Sequence, residues 1–136
     1  MKRKAILISI FLFCGALAFA QQQAPQTPEE KEKQMYEAIQ KQVDQLTESL
    51  DLEDWQIFYA DSILTHDYAA MQKEFDLMTG NKVGNSDLYI AAQDKWSEQI
   101  YNSFQKILNE EQWAKYLKQG AARAKKARDK RAAKRK

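Results

Sequence analysis

Residues 27–50 read TPEEKEKQMYEAIQKQVDQLTESL, and they set the pattern that most of the chain repeats. The stretch opens with a threonine that can cap a helix, a proline suited to the first helical position, and a glutamate three residues after the cap. Apolar residues then recur three or four positions apart, at Met35, Ile39, Val43, Leu46 and Leu50. This spacing places them on one face of a helix predicted over about residues 28–49.

Two more long helices are predicted from the same spacing. The second covers about residues 52–78, with Asp51 as its capping residue, and the third covers about residues 87–108, with Ser86 as its cap. The segment between them is rich in glycine and asparagine. We expect Gly80 to end the second helix in the left-handed conformation.

A short fourth helix completes the predicted set. It begins at a second capping box, residues 109–112, and runs to Gly120. No stretch alternates apolar and polar residues for long enough to indicate strands. The predicted fold is therefore all-α, an elongated helical hairpin or bundle of three long helices plus a short fourth. Helices of roughly 33–40 Å are long for a chain of this size, so a second subunit could complete the array.

The first 20 residues have the features of a secretory signal peptide. Lys2, Arg3 and Lys4 precede an apolar run that ends in small residues at Ala20. This organisation predicts export to the periplasm with cleavage after Ala20, a membrane anchor or lipidation at Cys14 being the alternatives. Such cleavage removes the only cysteine of the chain.

Charge divides the rest of the chain sharply. Residues 21–27 form a polar linker, residues 28–120 the helical domain, and residues 121–136 a basic tail of alanine, lysine and arginine. We expect the tail to be solvated. Its partners could be anionic lipid head groups, acidic proteins or the acidic body of the chain itself, while export argues against nucleic acid. The candidate binding residues of the tail are Arg123, Lys125, Lys126 and Arg128.

No catalytic, cofactor-binding or metal-binding residue is predicted. His66 is the only histidine. Its neighbours three and four positions away on a helix are Ser62, Ile63, Ala69 and Ala70. None of these can orient an imidazole or share a metal with it, and Asp61 and Asp67 are expected on other faces. The chain is therefore predicted not to be an enzyme and to need no cofactor.

Two segments read alike where helices begin. Residues 52–56 are LEDWQ and residues 108–112 are LNEEQ, so each has a leucine, a capping position, two further residues and a glutamine. The chain here resembles the Spy/CpxP-like family of periplasmic proteins, whose members carry a repeated Leu-Thr-x-x-Gln motif. The resemblance covers roughly residues 45–118, but Glu53 and Asn109 replace the threonines. It implies an elongated helical dimer whose concave face acts as a chaperone cradle or as an adaptor in envelope stress sensing.

Aromatic residues are the remaining candidates for binding. A second stripe on the first turns of the second helix predicts that this end is contacted from two directions. A small bundle cannot bury every large ring, so an exposed group of them would mark a partner surface. The candidates are Trp55, Phe58, Tyr59, Trp113 and Tyr116.

From these features we expect a non-enzymatic periplasmic binding protein, either chaperone-like or an envelope stress adaptor. Its partners would be unfolded or envelope proteins, and it could form a homodimer. The alternative is an envelope structural module that docks through its basic tail on an anionic surface such as lipid.

Overall fold

The computed structural model describes residues 25–136. The predicted signal peptide, Cys14 and the first residues of the polar linker lie outside this range. Within it the chain is all-α, as predicted, and contains no strand. The helices are α1 (Pro28–Leu50), α2 (Asp54–Gly80), α3 (Ser86–Ile107), α4 (Glu110–Tyr116) and α5 (Ala122–Lys134). A turn, Leu117–Ala121, joins α4 to α5; it is kinked at Gly120, whose φ of 126° is not helical, and is called the Gly120 turn below.

The core lies where the three long helices meet. α2 packs against both α1 and α3, α4 contacts α1, and α5 lies along α3. The predicted apolar stripe of α1 supplies four buried residues, while Met35 packs partly buried against them. The buried cluster consists of Ile39, Val43, Leu46, Leu50, Leu52, Ala60, Leu64, Ile100, Phe104 and Leu108.

The start of α1 confirms the predicted capping box, but its end differs from the prediction. Thr27 Oγ1 accepts a hydrogen bond from the Glu30 amide at 3.2 Å, and the Thr27 amide donates to Glu30 Oε2 at 2.9 Å. Asp51 does not cap α2. It closes α1 in the left-handed conformation, with φ 53°, and Glu53 takes the cap position of α2. The chain must reverse direction within three residues there, and aspartate tolerates positive φ better than bulky residues do.

The connection between α2 and α3 also corrects two predictions. Gly80 is the last residue of α2 and is not left-handed; Lys82, with φ 57°, is the residue that turns the chain. Asn85, and not Ser86, caps α3, because its Oδ1 accepts from the Asp87 amide at 3.0 Å. Asparagine is at least as good a cap as serine, so the helix begins one residue earlier than predicted.

The basic tail is a helix and not a solvated segment. α5 packs on α3, whose carboxylates face its arginines. Opposite charges provide the contact, so the tail lies against the acidic body of the chain, which was among the possible partners expected from the sequence. None of the helices within residues 25–136 is long and apolar enough to cross a membrane.

Candidate functional site

The two similar helix starts meet in the interior of the molecule. Gln56 and Gln112 are 3% and 6% exposed, although they stand 56 residues apart in sequence. Gln56 Nε2 donates to Gln112 Oε1 at 2.7 Å, and Gln112 Nε2 donates back to Gln56 Oε1 at 3.0 Å. We call these two residues the glutamine pair.

Each glutamine also holds the backbone of its own helix start and of the opposite turn. The Glu53 amide donates to Gln56 Oε1 at 2.9 Å, and the Asn109 amide donates to Gln112 Oε1 at 3.0 Å. Across the junction, Gln56 Nε2 donates to the Ile107 carbonyl at 2.8 Å. Gln112 Nε2 reaches the Leu50 and Asp51 carbonyls, each at 3.3 Å. The glutamine pair therefore fastens the α1–α2 turn to the α3–α4 turn.

Three aromatic side chains project from α2 next to the glutamine pair. Trp55, Phe58 and Tyr59 are 49%, 67% and 50% exposed. Phe58 and Tyr59 follow Trp55 by three and four residues, which places the three side chains on one side of α2. Gln56 follows Trp55 by one residue, about 100° around the helix, and is buried. The Tyr59 ring stands edge-on to Trp55, with centroids 6.2 Å apart, and to Phe58, with centroids 5.6 Å apart. We call these three residues the aromatic cluster.

The sequence predicted that other elements would contact this end of α2 from a second direction. Within the described part of the chain, the three aromatic side chains are instead exposed to solvent. The Trp55 ring is oriented by one hydrogen bond, in which its indole Nε1 donates to Glu53 Oε2 at 2.6 Å. Glu53 is itself the cap residue of α2. The cluster is thus a preorganised apolar surface with an acidic group at its edge.

The other two predicted aromatic residues lie elsewhere. Trp113 and Tyr116 pack partly buried against the core, with ring centroids 5.6 Å apart. Trp113 also contacts Tyr101, and Tyr116 contacts Phe104. Burial raises the pKa of Tyr116, so its hydroxyl stays neutral. The structure does not bring these two rings to the aromatic cluster.

Two of the four predicted basic residues contact α3. Arg128 Nε lies 3.1 Å from Glu98 Oε2, and Lys125 Nζ lies 2.7 Å from Glu98 Oε1. Further along α5, Arg131 and Arg135 both pair with Asp94, at 2.7 and 3.0 Å. Asp94 and Glu98 were not singled out from the sequence. Asp94 and Glu98 are four residues apart on α3, and the basic residues that pair with them are three or four apart on the tail, so helical spacing of opposite charges was the signal available in the sequence.

These ion pairs change the acidity of both carboxylates. Burial alone would raise the pKa of Asp94, but hydrogen bonds from Arg131 and Arg135, together with their charges, lower it overall. Glu98 behaves in the same way: burial opposes the change, and hydrogen bonds from Lys125 and Arg128 lower its pKa. Both carboxylates are therefore ionised at neutral pH.

The opposite side of α5 is basic and exposed. The predicted residues Arg123 and Lys126 are exposed, and Lys130 and Lys134 are exposed as well. Lys126, Lys130 and Lys134 lie four residues apart, which puts them on one helical face, turned away from Arg128 and Arg131. We call these three lysines the lysine stripe.

His66 is more constrained than the sequence suggested. Its Nδ1 lies 2.8 Å from Asp67 Oδ1, although Asp67 was expected on another face of the helix. The buried Asp67 carboxylate also accepts from Gln99 Nε2 of α3 at 2.9 Å, while the His66 side chain is exposed. Among residues 25–136, no three His, Cys, Asp or Glu side chains are grouped to hold a metal ion.

Comparison with known proteins adds no relative. No family model, curated protein or solved structure matches the chain. The candidate functional surfaces are therefore identified from the exposed side chains of this structure alone. They are the aromatic cluster on α2 and the lysine stripe on α5.

Proposed function

We propose that this protein is an exported, non-enzymatic binding protein of the bacterial envelope that holds other proteins on its aromatic cluster, as a chaperone or a stress adaptor. The observation that carries the proposal is the exposure of three adjacent rings at Trp55, Phe58 and Tyr59. Apart from Tyr36, which is 53% exposed, the other aromatic residues of the described range are at least partly buried, so three adjacent exposed rings contribute little to the fold itself.

The chemistry of the aromatic cluster suits weak binding of apolar segments. Tryptophan and tyrosine offer large contact areas with few rotatable bonds, and they are enriched where proteins meet. The glutamine pair holds the start of α2, and Glu53 holds the Trp55 indole, so little conformational freedom is lost on binding. Fixed rings can therefore accept different apolar partners in turn.

The charge of the body favours partners with basic segments. Residues 21–120 contain nine lysines, no arginine and 18 acidic residues. Glu53 and Asp54 stand beside the aromatic cluster and speed the capture of cationic chains. The resembled Spy/CpxP-like family typically has a basic binding face, so the two would differ in the clients that they prefer.

Export is supported by the signal-like residues 1–20 and by the degenerate helix-start motifs that resemble those of Spy/CpxP-like proteins. Fractionation of cells that express the full chain tests this part of the proposal. We expect the protein in the periplasmic fraction, shortened by the length of the predicted signal peptide. Recovery of the uncleaved chain from the cytosol would contradict it.

Aggregation assays test the binding proposal. We expect the purified protein to suppress aggregation of a basic model client during its unfolding. The triple variant Trp55→Ser, Phe58→Ser, Tyr59→Ser should lose this effect. The matched control Tyr36→Ser, Leu77→Ser, Leu88→Ser also removes three exposed large side chains, of 53%, 61% and 50% exposure, and should keep it. Equal loss in both variants, or no suppression by the parent protein, would reject the aromatic cluster as the site.

The lysine stripe favours a second candidate function, docking on an anionic surface. Each lysine near an anionic lipid surface contributes about 1 kcal/mol of attraction. The variant Lys126→Gln, Lys130→Gln, Lys134→Gln should reduce sedimentation with anionic vesicles. Lys31→Gln, Lys33→Gln, Lys41→Gln makes the same charge change on α1 and should not. If both variants reduce sedimentation equally, vesicle binding depends on total charge and not on the lysine stripe, and this candidate function is rejected.

A further inference from the structure

A small cavity lies at the junction of α3, the Gly120 turn and α5. Its volume is about 150 Å³, and its lining includes Tyr101, Tyr116, Gly120 and Arg128. Tyr68 of α2 and Gln42 of α1 also line it and are hydrogen-bonded to each other at 3.1 Å. Five helices and the Gly120 turn therefore contribute to one pocket.

Arg128 lines this cavity and carries an unused hydrogen-bond donor. The residue is only 8% exposed. Its Nε pairs with Glu98, and its guanidinium lies 5.5 Å from the centre of the Tyr101 ring. Its Nη2 is buried and has no hydrogen-bond partner. A buried charged donor without an acceptor is costly, so this atom indicates a ligand that supplies an acceptor oxygen.

The local charges favour an anionic acceptor. Glu98 pairs with both Arg128 and Lys125, and Asp129 pairs with Lys125 as well, at 2.7 Å. Lys125 therefore has two carboxylate partners, whereas Arg128 shares Glu98 and keeps Nη2 unpaired, which favours an anionic acceptor at Arg128. The nearby Tyr116 stays protonated because burial raises its pKa, and it can therefore donate a hydrogen bond. The polar wall thus presents a cation and a neutral donor.

Apolar side chains form another part of the wall, and the backbone beside it is unusual. Ile100 and Ala124 line the cavity together with the tyrosine rings, and Ser97 and Gln42 add polar groups. Gly120 has φ 126° and ψ −12°, a conformation that residues other than glycine rarely adopt. A cavity of about 150 Å³ holds a molecule the size of benzene.

We propose that this cavity binds a small carboxylic acid with a short apolar body, its carboxylate held by Arg128 Nη2 and the Tyr116 hydroxyl. The apolar body would lie against Ile100, Ala124 and the tyrosine rings. This site is separate from the aromatic cluster, and the inference does not rest on the function proposed above.

Titration with butyrate, followed by heteronuclear NMR of the purified protein, tests the proposal. Trp113 contacts both Tyr101 and Tyr116, so its indole signal should shift on binding, while the indole signal of Trp55 should not. The neutral isostere butyramide should bind on the order of tenfold more weakly, because it lacks the charge that strengthens the contact with Arg128. No shift of the Trp113 signal at millimolar butyrate, or equal binding of butyramide, would overturn the proposal.

Three variants test which atoms hold the carboxylate. Arg128→Lys keeps the positive charge near Glu98 but removes Nη2, and it should weaken butyrate binding on the order of tenfold. Tyr116→Phe removes one oxygen and should weaken it by a few-fold; it decides the question if Arg128→Lys does not fold. Arg135→Lys alters a guanidinium that pairs with Asp94 outside the cavity and should bind normally. Unchanged affinity in both cavity variants would overturn the proposal.

Discussion

Gln56 and Gln112 use all their hydrogen-bonding groups inside the protein. Each amide nitrogen donates to the other glutamine and to a backbone carbonyl, and each amide oxygen accepts from the other glutamine and from a backbone amide. A fully satisfied buried network of this kind specifies one arrangement, because any shift leaves polar groups unpaired in the interior. The arrangement of the two helix starts therefore depends on two side chains.

Replacing Gln56 with alanine should lower the free energy of unfolding by about 2–3 kcal/mol, since it removes both hydrogen bonds between the two glutamines and leaves the Ile107 carbonyl without its side-chain donor. Urea unfolding measures the change. Gln72→Ala, which removes an exposed glutamine of the same helix, should cost less than about 0.5 kcal/mol.

In a double-mutant cycle, Gln56→Ala and Gln112→Ala should be coupled by about 1 kcal/mol or more. Simple additivity would mean that the two glutamines act independently.

Gly120 is the other residue whose chemistry is constrained. A Cβ there would meet no atom within 4 Å, so a substitution is opposed by the backbone conformation alone. Gly120→Ala should lower the unfolding free energy by about 1–3 kcal/mol. Gly84→Ala also has open space around it, but without a positive φ, and is the matched control. Thermal unfolding of both variants would check this, and equal melting temperatures would contradict the assigned strain.

At the scale of the helix, α5 depends on ion pairs with α3. The folded pKa values of Asp94 and Glu98 lie below those of the unfolded chain. The unfolded state therefore binds more protons at acidic pH. The stabilisation is fully present above the ordinary carboxylate pKa of about 4 and is lost as the pH falls through the lower folded values.

Acidification should therefore lower the free energy of unfolding of the parent protein. The decrease should be smaller in the variant Asp94→Asn, Glu98→Gln. The denaturation midpoint measured as a function of pH tests this. Asp44→Asn, Glu48→Gln provides a matched control, because these exposed acids have the same spacing on α1. The control should retain the pH dependence of the parent protein. If the α3 variant keeps it too, the ion pairs do not cause it.

At the scale of the whole molecule, the core and α5 are held by different forces. The buried cluster takes its residues from α1, α2, α3 and the short connections after α1 and α3, and none of them comes from α5. α5 is instead attached through Arg128, Arg131 and Arg135 to two carboxylates. The side chains of Arg131 and Arg135 are 43% and 37% exposed, and ion pairs at such positions are weak and are screened by salt. The helix that closes the proposed cavity is thus less strongly held than the bundle beneath it.

Hydrogen exchange should therefore show α5 opening before α1, α2 and α3. We expect its amides to be less protected than those around Leu64 and Phe104, which are 0% and 1% exposed. High salt should widen this difference by weakening the ion pairs. Equal protection along all the long helices would show that α5 opens only with the whole fold. Butyrate should slow the exchange of α5 amides if it binds beneath this helix.

What the sequence determined by itself is the local structure. Helix periodicity and capping depend on residues three and four apart, so the all-α fold, the Thr27 and Asn109 capping boxes and the apolar stripe of α1 were all readable. The errors at Asp51 and Gly80 have a common cause. The residue that takes positive φ depends on the direction in which the next helix must leave, and the neighbouring helices set that direction.

Only the tertiary structure decided which faces meet. A sequence pattern shows that a helix has an apolar or charged side, but it does not say which distant element covers it. The partners Gln56 and Gln112 are 56 residues apart, and Asp94 and Arg131 are 37 apart. The same folding leaves Trp55, Phe58 and Tyr59 in water while Trp113 packs inside, although all four sit near similar helix starts. Exposure is a property of the packed array, because it depends on what the other helices cover.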